Sequence, residues 1–203
     1  REYSFPTEVF TMQINKVSIH NFRSIKDGTF VLKDYSLLIG ANNAGKSNII
    51  DAIRVFYEHD KMKYNESSDL CWAKTDDEVW IEIEYILTDE EYNDLKEEYR
   101  LPNNSLKIRK YIKTTEKGAD GKAKSGYYAY NSEGKICDNL FYGEKNVGSG
   151  KLGNIIYIPA QSTVEEQTKL TGPSPLRELI SNVLERVIAG NAAYDKLKAD
   201  ISS

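Results

Sequence analysis

Val17 and Ile19 alternate with polar neighbours, the period-two pattern of a strand with one buried face. "TFVL" at 29–32 continues it, and "SLLI" at 36–39 is an unbroken apolar run that predicts a strand buried on both faces. The period then changes, because Ile49, Ile50, Ile53, Phe56 and Tyr57 recur at helical spacing. From Val79 it returns to two, with Val79, Ile81, Ile83, Tyr85 and Leu87 on one side and Glu82 and Glu84 on the other, as in a half-buried antiparallel strand. Thr88 and Glu91 stand at capping-box spacing ahead of a short acidic helix. "SLKIRKYIKT" and "GYYAYNSEGK" predict a strand pair around a polar loop at 116–126, with "NSEG" as the next turn.

"NVGSGKLG" at 146–153 reads as a loop, and "NIIYIPA" at 154–160 as a further buried strand. Ser174 is placed to cap a helix with Pro175 at its first position, and Leu176, Leu179, Ile180, Val183, Leu184, Val187 and Ile188 form its apolar stripe. Three segments follow: 1–11, without a period, an N-terminal extension or expression remnant; 12–188, one lobe; and 189–203, the start of a further helical segment. The fold class these elements predict is α/β (α+β), with a mixed sheet, an antiparallel β subdomain and flanking helices.

Composition narrows the partners. The 203 residues carry a formal charge of −4, which argues against a uniformly basic nucleic-acid binder. Charge is nonetheless segregated: acids crowd 76–98, whereas Lys107, Arg109, Lys110, Lys113, Lys117, Lys122 and Lys124 face only Glu116 and Asp120, so a local basic surface is a second expectation. Cys71 and Cys137 form no metal-ligand spacing and no disulfide framework, and a reducing cytoplasmic setting is the simpler reading. No apolar run is long enough to span a membrane. His20 and His59 read as surface or loop histidines.

The sharpest chemical signal is Gly40, Ala41, Asn42, Asn43, Ala44, Gly45, Lys46 and Ser47, which meets G-x-x-x-x-G-K-[ST] between an apolar run and an amphipathic helix. Such a loop wraps a phosphate with its own N–H groups, which Gly40 and Gly45 permit. Lys46 is placed to contact the β- and γ-phosphates, Ser47 to coordinate Mg²⁺, and the helix N-terminus to add partial positive charge. No Asn-Lys-x-Asp guanine reader is present, and ATP is the expected nucleotide. "YILTDE", Tyr85 to Glu90, imitates a Walker B strand, but Thr88, Asp89 and Glu91 are accounted for as capping residues.

The stretch "INKVSIHNFRSIKDGTFVLKDYSLLIGANNAGKSNIIDAIRVF", and within it "NFRSI" and "GANNAGKSN", resembles the opening of the ABC-type ATPase heads of the SMC, RecF and OLD families, nearer the RecF and OLD side. The resemblance is densest over 12–57 and rests on strand order to about 188. It implies that Arg23 approaches the nucleotide phosphates, that Asn43 and Lys46 face the γ-phosphate, and that Asn48 lies on the α-phosphate side. Asn42, Ala44 and Gly45 complete the cradle. It also implies a Q-loop glutamine touching Mg²⁺ and the attacking water; Gln161 is the candidate, its alternative reading being an ordinary polar loop residue, since Gln167 also lies nearby.

The family's signature loop, Walker B strand and switch histidine find no match in these residues, and neither does a Toprim nuclease domain. The expectation is therefore an ATP-binding lobe that hydrolyses poorly alone. In the complete protein a second head would form a homodimer around ATP, with a role in DNA repair, recombination or phage defence. An alternative from another class is a DNA-binding or partner-docking module, with nucleotide as a switch ligand and Lys107, Arg109, Tyr111 and Lys113 as the contact face.

Overall fold

The computed structural model describes residues 12–41, 45–142, 152–153, 155–159, 174–177 and 179–181. The chain divides into two compact units, Arg1–Gly153 and Asn154–Ser203. In the first unit strands β1 (Gln13–Phe22), β2 (Ile25–Val31), β3 (Val79–Ile86), β4 (Ser105–Lys113) and β5 (Gly126–Ala129) form one sheet in the order β2-β1-β3-β4-β5. Every pairing in it is antiparallel. Helices α1 (Lys46–Tyr57), α2 (Glu66–Asp69) and α3 (Asp89–Asp94) flank it, so the unit is an α/β arrangement.

Register explains which face is core. Val17 stands opposite Ile83, Ile83 opposite Ile108 and Ile108 opposite Ala129. Ile19, Ile81, Lys110 and Tyr127 make the neighbouring row. All but Lys110 are apolar or aromatic and buried, and the apolar face of α1 (Ile49, Ala52, Val55, Phe56) joins the same core. Burying each such large side chain contributes about 1.5–3 kcal/mol, which is what ties the helix to the sheet. Phe56 meets Tyr127 edge to face at 5.3 Å, and the hydroxyls of Tyr57 and Tyr85 lie 2.8 Å apart.

Lys110 looks out of place in an apolar row, and its partners explain it. Its ammonium donates to the carbonyl oxygens of Val55 (2.9 Å) and Phe56 (3.3 Å), to the Tyr127 hydroxyl, and pairs with Glu58 at 2.9 Å. Those carbonyls belong to the last turn of α1, where the Val55 oxygen otherwise takes the long Glu58 N–H contact at 3.3 Å, so a buried cation there satisfies them and complements the helix dipole.

The opposite face of the sheet carries a polar layer. Glu82, only 4% exposed, pairs with Lys107 and Arg109 at 2.8 Å each and accepts from the Tyr130 hydroxyl at 2.5 Å. Arg109 lies over the Trp80 ring at 3.8 Å, and His20 stacks on the same ring at 5.1 Å. His20 is therefore no surface residue. It is buried, with Nδ1 2.6 Å from Asp27 and Nε2 3.0 Å from Asp76.

Two strand expectations are corrected. Residues 36–39 form no strand, and Leu37 and Ile39 are exposed at 67% and 84%. A strand buried on both faces needs hydrogen-bonded neighbours, and among the described residues neither sheet edge pairs with it. Residues 155–159 likewise carry no strand, so the parallel part of the predicted mixed sheet is not seen among the described residues. Other local expectations hold. Thr88 and Glu91 form the capping box on α3, and Asp89 accepts from the Asn104 amide at 2.6 Å, so "TDE" is a helix start. In the second unit the Arg177 N–H donates to the Ser174 hydroxyl at 3.2 Å, with Pro175 opening the helical turn. Residues 1–11, 161–173 and 182–203 lie outside the described residues, and with them Gln161, Gln167 and the segment at 189–203.

Replacing Ile83 by alanine should cost about 2–5 kcal/mol by chemical denaturation, the range for a core isoleucine; a loss below about 1 kcal/mol would contradict its place in the central row. Burial opposes the charged form of His20, but the bonds to Asp76 and Asp27 outweigh it and raise the pKa above 6.5. That stabilisation is complete below 6.5 and fades as pH rises through the folded-state value. The melting-temperature advantage of wild type over His20→Gln should therefore shrink between about pH 5.5 and about pH 8.5. A gap that widens would contradict the assignment.

Candidate nucleotide phosphate site

Helix α1 begins where the sequence places the end of the phosphate loop. Gly45 occupies its N-cap in the left-handed region (φ 87°, ψ 6°), a conformation that costs a side-chain-bearing residue about 1–2 kcal/mol. Space is closed as well, since a Cβ on Gly45 would lie 2.9 Å from the Ser24 hydroxyl. Among the described residues no side chain caps α1, and no acid stands in its first turn. The Asn48 N–H donates to the Gly45 carbonyl oxygen at 3.0 Å, and the N–H groups ahead of it face an anion's position, with the positive end of the helix dipole behind them.

Lys46 folds back over the loop. Its ammonium donates to the carbonyl oxygens of Gly40 (2.7 Å) and Ala41 (2.6 Å), which keeps a cation at the rim of the cradle. Ser47 follows and is exposed. Among the described residues no group of three or more His, Cys, Asp or Glu could hold a metal. The Ser47 hydroxyl is, among the described residues, the group a Mg²⁺ ion held here would take, with phosphate oxygens and water in its shell, as this hard, reluctantly dehydrated ion prefers. The residues fit a magnesium-bound polyphosphate.

The hairpin between β1 and β2 stands beside this helix start. Asn48 donates from its side-chain amide to the Ser24 hydroxyl at 2.8 Å, and its oxygen lies 3.5 Å from the Arg23 guanidinium. Arg23 also bonds Asp51 of α1 at 2.5 Å and Asp69 at 2.8 Å. The structure thus brings Arg23, Gly45, Lys46, Ser47 and Asn48 together, with Gly40 joined through the lysine. Asn42, Asn43 and Ala44 lie outside the described residues, as does Gln161. Sequence reading missed Asp51 and Asp69. Asp51 follows Asn48 by one helical turn and could have been found by that spacing, whereas Asp69 is distant in sequence and offered no signal.

The basic stretch behaves differently from the expectation. Lys107 and Arg109 are spent on Glu82, Lys110 on the end of α1, Lys113 on Glu66 at 2.6 Å, and Lys124 on Glu116 and Asp138.

Residues 12–185 match the family model described as the AAA ATPase domain. The chain is 30% identical over 196 residues to the Old nuclease of Escherichia phage P2, covering 87% of this chain and 30% of that protein. It is 26% identical over 186 residues to Endonuclease GajA of Bacillus cereus (strain VD045), covering 90% of this chain and 29% of that one. This chain thus spans about 30% of the length of these curated relatives. A solved structure of the recombination mediator protein RecF with ATP superposes with a TM-score of 0.45 at 17% identity, covering 94% of this chain and 43% of that one.

Gly45→Ala should lower the unfolding free energy by about 1–2 kcal/mol, read from thermal or chemical denaturation. A neutral substitution would contradict the left-handed cap.

Proposed function

We propose that this chain, which belongs to the AAA ATPase domain family and stands on its RecF and OLD side, binds the polyphosphate of ATP at the loop Gly40–Ser47. The observation that carries the reading is the uncapped, acid-free N-terminus of α1 behind a left-handed Gly45, with Lys46 bent across the loop. Its own residues would act by position and charge. The N–H groups of the first turn and the Lys46 ammonium would hold phosphate oxygens, the ammonium exchanging the Gly40 and Ala41 carbonyls for a charged partner. The Ser47 hydroxyl would orient the metal. Bound Mg²⁺ would supply neutralisation of the phosphate charge during phosphoryl transfer.

For the complete protein, we propose ATP hydrolysis in DNA metabolism or phage defence, with nucleotide-gated pairing of two such heads. The support is kinship with proteins named as nucleases. Nucleic acid is a candidate partner on the same grounds, but the face formed by Lys107, Arg109, Tyr111 and Lys113 is not the surface we propose for it, because its cations are engaged within the fold. No helix among the described residues is long and apolar enough to cross a membrane.

Titration calorimetry with MgATP tests the reading. Lys46→Ala should weaken binding by about 10- to 100-fold, the loss expected for a charge-assisted contact. Equal affinity in the two proteins would sink it.

A further inference from the structure

The side chain of Arg23 is held more firmly than a hairpin residue needs. Arg23 and Ser24 form a two-residue turn between Phe22 and Ile25, and Arg23 takes a left-handed backbone (φ 51°) that an arginine does not favour. Its N–H donates to the Asp69 carbonyl oxygen at 2.6 Å, Nε to the Asp69 carboxylate at 2.8 Å, and Nη1 to Asp51 at 2.5 Å. Asp69 is 4% exposed, a costly setting for a carboxylate, and its second oxygen accepts the Asn65 N–H at 2.9 Å. A guanidinium offers five donors in a rigid fork. Nε and Nη1 are engaged, whereas Nη2 takes no partner among the described residues. Burial works against the guanidinium charge, yet the bonds to Asp69 and Asp51 more than offset it.

We propose that Asp51 and Asp69 are positioning residues that fix the Arg23 guanidinium beside the first turn of α1, with its Nη2 edge presented to the anion held at Gly40–Ser47. The inference rests on the phosphate-site reading. Its logic is preorganisation: a long cation ordered before the ligand arrives loses less entropy on binding. α1 supplies one carboxylate and the α2 segment the other, so the arginine is held from two elements and its aim follows the helix that carries the phosphate loop.

The sign of one substitution separates this role from its rivals. Asp69→Asn keeps the shape and an acceptor for the Asn65 N–H while removing a negative charge near an anion site. If Asp69 merely contributed charge, or competed with phosphate for Arg23, the variant would bind MgATP more tightly. If it only stabilised the fold, the melting temperature would fall with no change in affinity measured well below the melt. Positioning predicts instead that affinity drops about tenfold in calorimetry. Asp51→Asn should move affinity the same way, and it guards against a folding defect in the first variant. In an Arg23→Gln background neither substitution should change affinity further, because there is no guanidinium left to aim. Tighter or unchanged binding in both aspartate variants, or full losses that persist without Arg23, overturns the inference while Lys46-dependent binding by wild type leaves the phosphate site standing. Absence of Lys46-dependent binding in wild type overturns both.

Discussion

Two cations borne by the sheet grip α1, one at its C-terminal end and one midway along it, and the rest of the structure is arranged around that constraint. At the C-terminal end Lys110 of β4 reaches through the core face to the carbonyls of Val55 and Phe56 and to Glu58. Arg23, from the β1–β2 hairpin, bonds Asp51 midway along the helix and lies 3.5 Å from the Asn48 side-chain oxygen in its first turn. Lys110 is buried and Arg23 partly so, which makes both costly to desolvate, and each is tolerated because several acceptors meet it. The helix is set in position against the sheet by these contacts. Its leading N–H groups, the feature that gives a phosphate loop its affinity, are therefore directed by long-range contacts rather than by the loop itself.

The two faces of the sheet divide labour. One face is apolar apart from Lys110 and exists to seat α1. The other buries Glu82 among Lys107, Arg109 and Tyr130, with Trp80 stacked against Arg109 and His20. In that layer long side chains shield the carboxylate with their stems and neutralise it with their heads. The same economy explains why Lys107 and Arg109 are not free basic groups: the acids of β3 and these bases of β4 are cross-strand neighbours.

Local rules read most of this correctly. The alternation Val79 to Leu87 became β3 with its apolar side fully buried, and Thr88 and Glu91 closed the capping box that ruled out a Walker B strand there. Gly45 took the left-handed cap its motif demands. The failures share a cause, dependence on partners remote in sequence. Ile50 is exposed while Ala52 and Val55 are buried, because the angle at which α1 meets the sheet sets its apolar face. Lys110 reads as surface charge unless the end of α1 is known to lie above it. Asp69 is unremarkable until Arg23 folds against it, and "SLLI" carries a strand-like composition without a strand to pair with.

The central claim is that the loop Gly40–Ser47 and the first turn of α1 receive the phosphates of ATP. Amide hydrogen exchange, followed by mass spectrometry with and without MgATP, addresses it at the level of the groups involved. Exchange should slow across residues 40–48 on addition of MgATP, with β4 and β5 unchanged. No slowing at 40–48, or slowing confined to the strand face of Lys107 and Arg109, would contradict it.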